Sequence, residues 1–229
     1  MTMTVNVEDM VIGILGGTGD QGRGLARRLA LAGHRVLIGS RSEERARAAA
    51  AELSGETSEA GEAGEVEGMT NSDTARNADV VIAAIPWEGH GELLSSLAAE
   101  LSGKIVIDCV NPLAFDARGA YSLPVAEGSA AEQAAGLLPD SRVVAAFHHV
   151  SAKLLLDPEV AAMDLDVLVL GDDREATDVV QALAARIPGM RGVYAGRLRN
   201  AGQVEALTAN LVSINRRYKA HAGLRVTDV

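Results

Sequence analysis

Apolar and polar positions along this chain follow two alternating periods. Val11 to Leu15, Arg35 to Ile38, Asp79 to Ile85, Ile105 to Val110, Arg142 to Phe147 and Asp166 to Asp173 are short runs dominated by Val, Ile, Leu and Ala. Runs of this length and make-up read as buried parallel strands. Between them lie segments with apolar residues at helical spacing: Gly22 to Ala32, Ser42 to Leu53, Asn71 to Asn77, Glu92 to Leu101, Ser129 to Leu138 and Glu175 to Ile187. In the first, Leu25, Ala26, Leu29 and Ala30 mark the inward face, and Arg23, Arg27 and Arg28 are expected to turn outward. Gly33 and Gly103 close their helices, and Ser129 with Glu132 forms a capping box. Arg191 to Tyr194 reads as a short strand. Asn200 to Ala222 reads as one long helix, whose stripe of Val204, Leu207, Leu211 and Ile214 suits packing on the sheet or on a second subunit.

Strands alternating with helices, and no internal repeat, predict an α/β chain: a Rossmann-type doubly wound, mostly parallel sheet with a small helical C-terminal part. Residues 10–195 form the nucleotide-binding domain on this reading and 196–229 the small part. Two stretches fall outside the pattern. From Glu52 to Glu67 there are six glutamates, three glycines and no basic residue, which reads as a solvated surface connection. Leu113 to Gly128 reads as irregular.

Composition narrows the class. The 229 residues are 48% hydrophobic but only 3% aromatic, so aliphatic side chains must build the core. A net charge of −10 argues against nucleic acid and acidic membrane surfaces as partners. Cys109 is the only cysteine, so an internal disulfide is excluded. Met1 to Asp9 lacks the pattern of a leader peptide, no run is long enough to span a bilayer, and a cytoplasmic protein is expected.

Chemistry concentrates at the ends of the apolar runs. Gly17-Thr18-Gly19-Asp20-Gln21-Gly22 follows the first strand and opens the first helix, the context in which a G-x-G-x-x-G loop holds a dinucleotide pyrophosphate. On this reading the first glycine serves the tight turn, the second the approach of the phosphates and the third close helix packing. The second strand ends in Gly39-Ser40-Arg41, with no carboxylate before Glu43. A 2′-phosphate would therefore be accepted at Ser40, Arg41 and Arg45, which favours NADP over NAD.

Ile85, Pro86 and Trp87 end the third strand, Asn111 the fourth and His148 the fifth. Ligands of open α/β sheets bind at those carboxyl ends. Trp87 is read either as a contact to a flat ligand or as a packing aromatic, and Asn111 either as a polar contact or as half of an Asn-Pro turn. His148 and His149 are adjacent, so they point to opposite faces and lack further ligands at metal spacing; a metal is not expected. No Tyr-x-x-x-Lys pair exists, and the three lysines, Lys104, Lys153 and Lys219, do not sit where a general acid is expected. That scarcity favours hydride exchange between two rings, which needs alignment more than acid–base help. No catalytic residue is firmly assigned; His148 and Trp87 are the candidates lining the hydride-transfer cleft.

In Gly16 to Gly22, Gly39-Ser40-Arg41, Ile85-Pro86-Trp87-Glu88, Phe147-His148 and Gly171-Asp172-Asp173, the chain resembles the NADPH-dependent F420 reductases, and the resemblance runs over nearly its whole length. The resemblance implies NADP and coenzyme F420 as the small-molecule partners, hydride transfer between nicotinamide C4 and deazaflavin C5, a homodimer, and a cleft closed by the C-terminal part and bordered by His148 and the Pro86-Trp87 loop. Two other readings stay open: an NADPH-dependent reductase of an imine or another small substrate, and an NADP sensor without turnover. F420 carries a phosphate and a glutamyl tail, which the basic residues of the C-terminal stretch would meet. These are Arg197, Arg199, Arg216, Arg217, Lys219 and Arg225, with Arg197 and Arg199 the expected contacts and the Arg216 to Lys219 group read either as contacts or as a solvated helix face.

Overall fold

The computed structural model describes residues 5–58 and 63–229. Part of the N-terminal stretch read for a leader and part of the glutamate-rich connection therefore lie outside the described residues. The strands are β1 (Ile12–Leu15), β2 (Val36–Ser40), β3 (Val66–Thr70), β4 (Val80–Ala83), β5 (Ile105–Asp108), β6 (Leu113–Asp116), β7 (Gly119–Ser122), β8 (Arg142–Ala145), β9 (Leu165–Gly171) and β10 (Met190–Gly196). The helices are α1 (Asp20–Leu31), α2 (Glu43–Ser58), α3 (Asn71–Asn77), α4 (His90–Ser96), α5 (Ala98–Leu101), α6 (Ala130–Leu137), α7 (Ala152–Leu156), α8 (Arg174–Arg186) and α9 (Ala201–Tyr218).

Eight strands form one sheet in the order β10-β9-β8-β5-β4-β1-β2-β3. From β3 to β8 every neighbouring pair is parallel, in the 3-2-1-4-5-6 order of a doubly wound dinucleotide fold. β9 reverses against β8, and β10 is parallel to β9. The strand order changes direction between β1 and β4, so the crevice that such sheets use for ligands opens at Gly16 and Ala84.

Alternate residues of the central strands enter two cores. Ile12, Ile14, Val36, Ile38, Val80, Ile82, Ile105 and Ile107 face α1, α2 and α8. Leu15, Leu37, Val81, Ala83 and Val106 face α3, α4 and α6. Aliphatic burial on both faces at about 25 cal/mol per Å² is the main stabilising term.

Several expectations are corrected. Most of the described residues of the expected 52–67 connection are regular: α2 runs on to Ser58, and Val66–Thr70 is an edge strand paired in parallel with β2. A Cβ on Gly68 would lie 2.2 Å from the Ala46 carbonyl group, so glycine there lets α2 press against β3. Leu113 to Gly128 contains the antiparallel hairpin of β6 and β7. The expected Glu92 to Leu101 helix is two, broken at Leu97.

Arg27 and Arg28 do not turn outward; both are buried. The Arg28 guanidinium donates to the carbonyls of Leu154, Leu155, Asp157 and Val160 at 2.6–3.1 Å. It caps the C-terminal end of α7, a short helix with no counterpart in the expected elements. Gly24 on α1 leaves room for the same helix, since a Cβ there would lie 2.6 Å from that of Leu155.

Candidate functional site

The glycine loop leaves β1 and opens α1 as expected, and only the tight turn moves, by one residue. Gly16, not Gly17, makes the tight turn, at φ +66°; a Cβ there would meet Ile85 Cγ2 at 2.6 Å and Ala84 O at 2.8 Å. Ile85 therefore closes over the loop from β4. Gly22 packs blind, its missing Cβ 2.7 Å from Gly17 Cα. Gly19 is exposed and open, with nothing nearer than 3.7 Å to its missing Cβ. This is the backbone an anion can approach. Asp20 starts α1 beside it, also exposed, and Thr18 and Gln21 are half-buried.

Ser40 ends β2 as a buried residue whose hydroxyl accepts from Ser42 N–H at 3.2 Å. Arg41 and Arg45 are exposed and, among the described residues, neither side chain has an ion-pair or hydrogen-bond partner. An acidic chain leaves both guanidiniums unneutralised at the end of the second strand. Sequence reasoning missed Asn71, at the start of α3, where Oδ1 accepts from Gly16 N–H at 3.3 Å and ties β3 to the glycine loop. The Thr70-Asn71-Ser72-Asp73 helix start, with its Thr70 cap, was the available signal.

At the same edge, Asn111 Nδ2 donates to the His148 carbonyl at 2.8 Å, and Thr208 Oγ1 of α9 donates to that carbonyl at 3.2 Å. The ends of β5 and β8 and the C-terminal helix thus converge on one atom. Just before it, Phe147 holds φ 64°, a conformation that costs a non-glycine residue about 1–3 kcal/mol and is found at sites the surroundings over-determine. The His148 ring does not face water: it is 4% exposed, both ring nitrogens lack a partner, and burial pulls its pKa down to about 4. His149 is pulled to about 4 by burial and by His148. His148 is therefore a neutral wall rather than a proton donor.

Trp87 lies half-buried in a 3₁₀ turn after Pro86, its ring 5.5 Å from that of His90. His90 Nε2 is 2.6 Å from Asp108 Oδ2, and His90 Nδ1 is 2.9 Å from Gln133 Oε1. Burial pulls His90 down, but the bond to and charge of Asp108, with Gln133 and Glu205, outweigh it and leave the pKa raised. Glu205, only 3% exposed, accepts from Ala130 and Ala131 N–H at the start of α6. Burial pushes its pKa up to about 7 against those two bonds. Neither Asp108 nor Glu205 carried a sequence signal, since each is a lone carboxylate in an apolar stretch.

The C-terminal cations do not gather as expected. Arg197 pairs with Asp172 at 3.5 Å, and Asp172 follows the end of β9. Because β9 is antiparallel to β8, with Gly171 level with Val144, the Asp172 that holds Arg197 lies past the end of β9 that points away from the carboxyl end of β8. Arg225 pairs with Asp164 and with the buried Asp166, which also holds Arg191 and Val226 N–H. Arg216, Arg217 and Lys219 remain exposed at the end of α9. Among the described residues, no helix is long and apolar enough to cross a membrane.

Comparison with known proteins places this geometry in a family. Residues 11–112 match the model described as NADP oxidoreductase coenzyme F420-dependent. The chain is 40% identical to the F420-dependent NADP reductase of Methanothermobacter marburgensis, over 96% of this chain and 99% of that one. It is 39% identical to that of Methanocaldococcus jannaschii, over 96% and 99%. The crystal structure of an Arthrobacter sp. FB24 protein designated an F420-dependent NADP-reductase superposes with a TM-score of 0.79 at 28% identity, covering 95% of this chain and 99% of that one. The chain belongs to the F420-dependent NADP oxidoreductase family.

Proposed function

We propose that this chain is an oxidoreductase that exchanges a hydride between NADP(H) and coenzyme F420. NADP supplies or accepts hydride at nicotinamide C4, and F420 does so at deazaflavin C5. The observation that carries the NADP half is an open Gly19 on a loop whose Gly17 N–H donates to Gly39 O at 3.0 Å, just before Arg41 and Arg45, two guanidiniums with no partner among the described residues. Gly17 to Gly22 would take the pyrophosphate at the N-terminus of α1, and Ser40, Arg41 and Arg45 the 2′-phosphate.

The nicotinamide end then falls among Ile85, Pro86, Trp87, Asn111 and the Phe147-His148 corner. Ile85 and the neutral His148 keep water from the transfer path, and Asn111 fixes the corner through the His148 carbonyl. No side chain there needs to move a proton between carbon centres, which agrees with a site built for alignment.

The same reading divides the chain into residues 10–195 for NADP and 196–229 for closing the F420 cleft, supported by the contact of Thr208 with the His148 carbonyl. Phe115, Tyr121 and Tyr218 are exposed aromatics on the hairpin and α9, and they support a homodimer. A reducing cytoplasm suits the buried free thiol of Cys109. The test is NADPH absorbance with and without F420: a decrease only when F420 is present supports the reading. A decrease without it would point to a small-molecule reductase, and no decrease with either to a sensor.

A further inference from the structure

The basic side chains of this acidic chain are mostly spoken for. Among the described residues, nearly every arginine and lysine of the sheet domain pairs with a carboxylate or, like Arg28 and Lys104, with backbone carbonyls. Arg199 apart, those with no such partner fall in two groups. One is Arg41 with Arg45. The other is Lys153, Arg216, Arg217 and Lys219, which belong to α7 and to the end of α9.

Two of the second group, Lys153 and Lys219, line a cleft of about 550 Å³, and Arg216 and Arg217 lie outside its lining. Ser151 and Lys153 line it from the start of α7, Val212 and Asn215 from α9, and Lys219 and His221 from the turn that follows; no carboxylate lines it. The turn is built rather than loose. Asn215 Oδ1 accepts from Ala222 N–H at 2.6 Å, the Asn215 carbonyl accepts from Ala220 N–H at 3.2 Å, and Lys219 takes the left-handed conformation at φ 50°. These bonds fold 219–222 back along α9. The opposite wall is fixed as well, because Arg28 and Gly24 lock α7 onto the helix of the glycine loop.

The cleft also continues the proposed hydride-transfer edge. Ser151 is three residues beyond His148, and Val212 is one helical turn, about 6 Å, beyond Thr208, whose hydroxyl meets the His148 carbonyl. We infer that the seam between α7 and the end of α9 is the subsite for the anionic tail of the deazaflavin substrate, its phosphate and glutamyl carboxylates, with Lys153 and Lys219 as the charges that meet it. The inference rests on the F420 reading above. It transfers the tail from Arg197, which pairs with Asp172 past the end of β9, and from its neighbour Arg199 to a cleft with unpaired cations beside the reacting edge.

The test compares F420 with a truncated deazaflavin that has the ring and ribityl chain but neither phosphate nor glutamates. Binding to the full chain is read by deazaflavin fluorescence, and the Michaelis constant for each compound is taken with NADPH saturating. In the Lys153→Gln, Lys219→Asn double variant, both exposed charges are lost and asparagine tolerates the left-handed turn. F420 binding is expected to weaken about five- to twenty-fold at low salt, and by much less at about 1 M salt. Loss for the truncated compound should stay under about two-fold. The Arg197→Gln, Arg199→Gln pair removes the same charge outside the cleft and is expected to leave F420 binding within about two-fold of the parent.

Equal losses for both deazaflavins in the lysine variant, no loss for F420, or an F420 loss in the arginine pair as large as in the lysine pair would overturn the subsite. A parent protein that oxidises NADPH with neither deazaflavin contradicts the hydride-transfer reading instead. The fluorescence titration needs no turnover, so it decides the subsite in that case too.

Discussion

His90 Nε2 and Asp108 Oδ2 lie 2.6 Å apart with neither side chain exposed to solvent. Asp108 is the last residue of β5, and the His90 ring sits 5.5 Å from that of Trp87. One buried pair therefore anchors the Pro86-Trp87 loop to the central sheet. Removing one partner of such a pair costs more than the pair contributes, because the other is left buried and uncompensated.

Asp108→Ala should accordingly destabilise the fold by about 3–5 kcal/mol, with Asp108→Asn milder because it keeps one hydrogen-bonding oxygen. Urea unfolding of the two variants beside the parent checks this. An Asp108→Ala variant as stable as the parent would mean that the pair is dispensable and the loop is held by packing alone.

Glu205 gives stability a pH dependence whose sign can be worked out. Its folded pKa is raised from 4.5 to about 7 by burial, so between those values the folded chain holds a proton that the unfolded chain has released. Stability contributed by this group is therefore full below about 4.5, falls as pH climbs to about 7, and stays level above. His148 and His149, pulled down to about 4, act oppositely, contributing stability above their unfolded value of 6.5 that is lost as pH falls toward 4. The comparison that isolates Glu205 is parent against Glu205→Gln. Relative to that variant, the parent should lose about 3 kcal/mol between pH 4.5 and 7, and parallel curves would rule out the protonated form.

Two glycines of the loop should separate by function. Gly19 has φ −82° and free space, so Gly19→Ala should keep the parent's melting temperature while weakening NADPH binding, because the new methyl group stands where the pyrophosphate approaches. Gly22→Ala places a Cβ 2.7 Å from Gly17 Cα and should cost about 1–3 kcal/mol of stability. Thermal melts paired with NADPH titrations distinguish them. Normal NADPH binding by Gly19→Ala would remove the loop from the nucleotide site.

Arg41→Ala should raise the Michaelis constant for NADPH by about ten- to a hundred-fold and that for NADH far less, since a bond to a charged group contributes about 1.5–3 kcal/mol and only NADPH carries the 2′-phosphate. Equal changes with both nucleotides would contradict the assignment of Arg41.

The central sheet was legible in the sequence because its strands are short aliphatic runs separated by helical periods. β3 was not, since its two apolar residues, Val66 and Met69, are three positions apart and pack on opposite faces, which leaves no two-residue alternation to read, and its identity comes from pairing with β2. α7 was hidden for a related reason: five residues give no period, and the Arg28 and Gly24 that hold it lie more than a hundred positions earlier in the chain. The nucleotide loop and the Ser40-Arg41 end could be read locally because both are contiguous. The carboxylates under Trp87 could not, as His90, Asp108 and Glu205 meet only once β5, α4, α6 and α9 have packed. The pairing of Arg197 could not be read either, because sequence proximity to the C-terminal helix says nothing of the reversal of β9, past whose end Asp172 meets it.

Direct transfer is the central claim, and isotope labelling tests it most plainly. NADPH carrying deuterium at one face of nicotinamide C4 is incubated with the protein and oxidised F420, and reduced F420 is examined by mass spectrometry and NMR. Deuterium from one labelled face only, at deazaflavin C5 and without dilution by solvent protons, is the expected result for two rings aligned over the Phe147-His148 corner. Reduced F420 carrying solvent hydrogen at C5 with either labelled NADPH, or no reduced F420 at all, would contradict it.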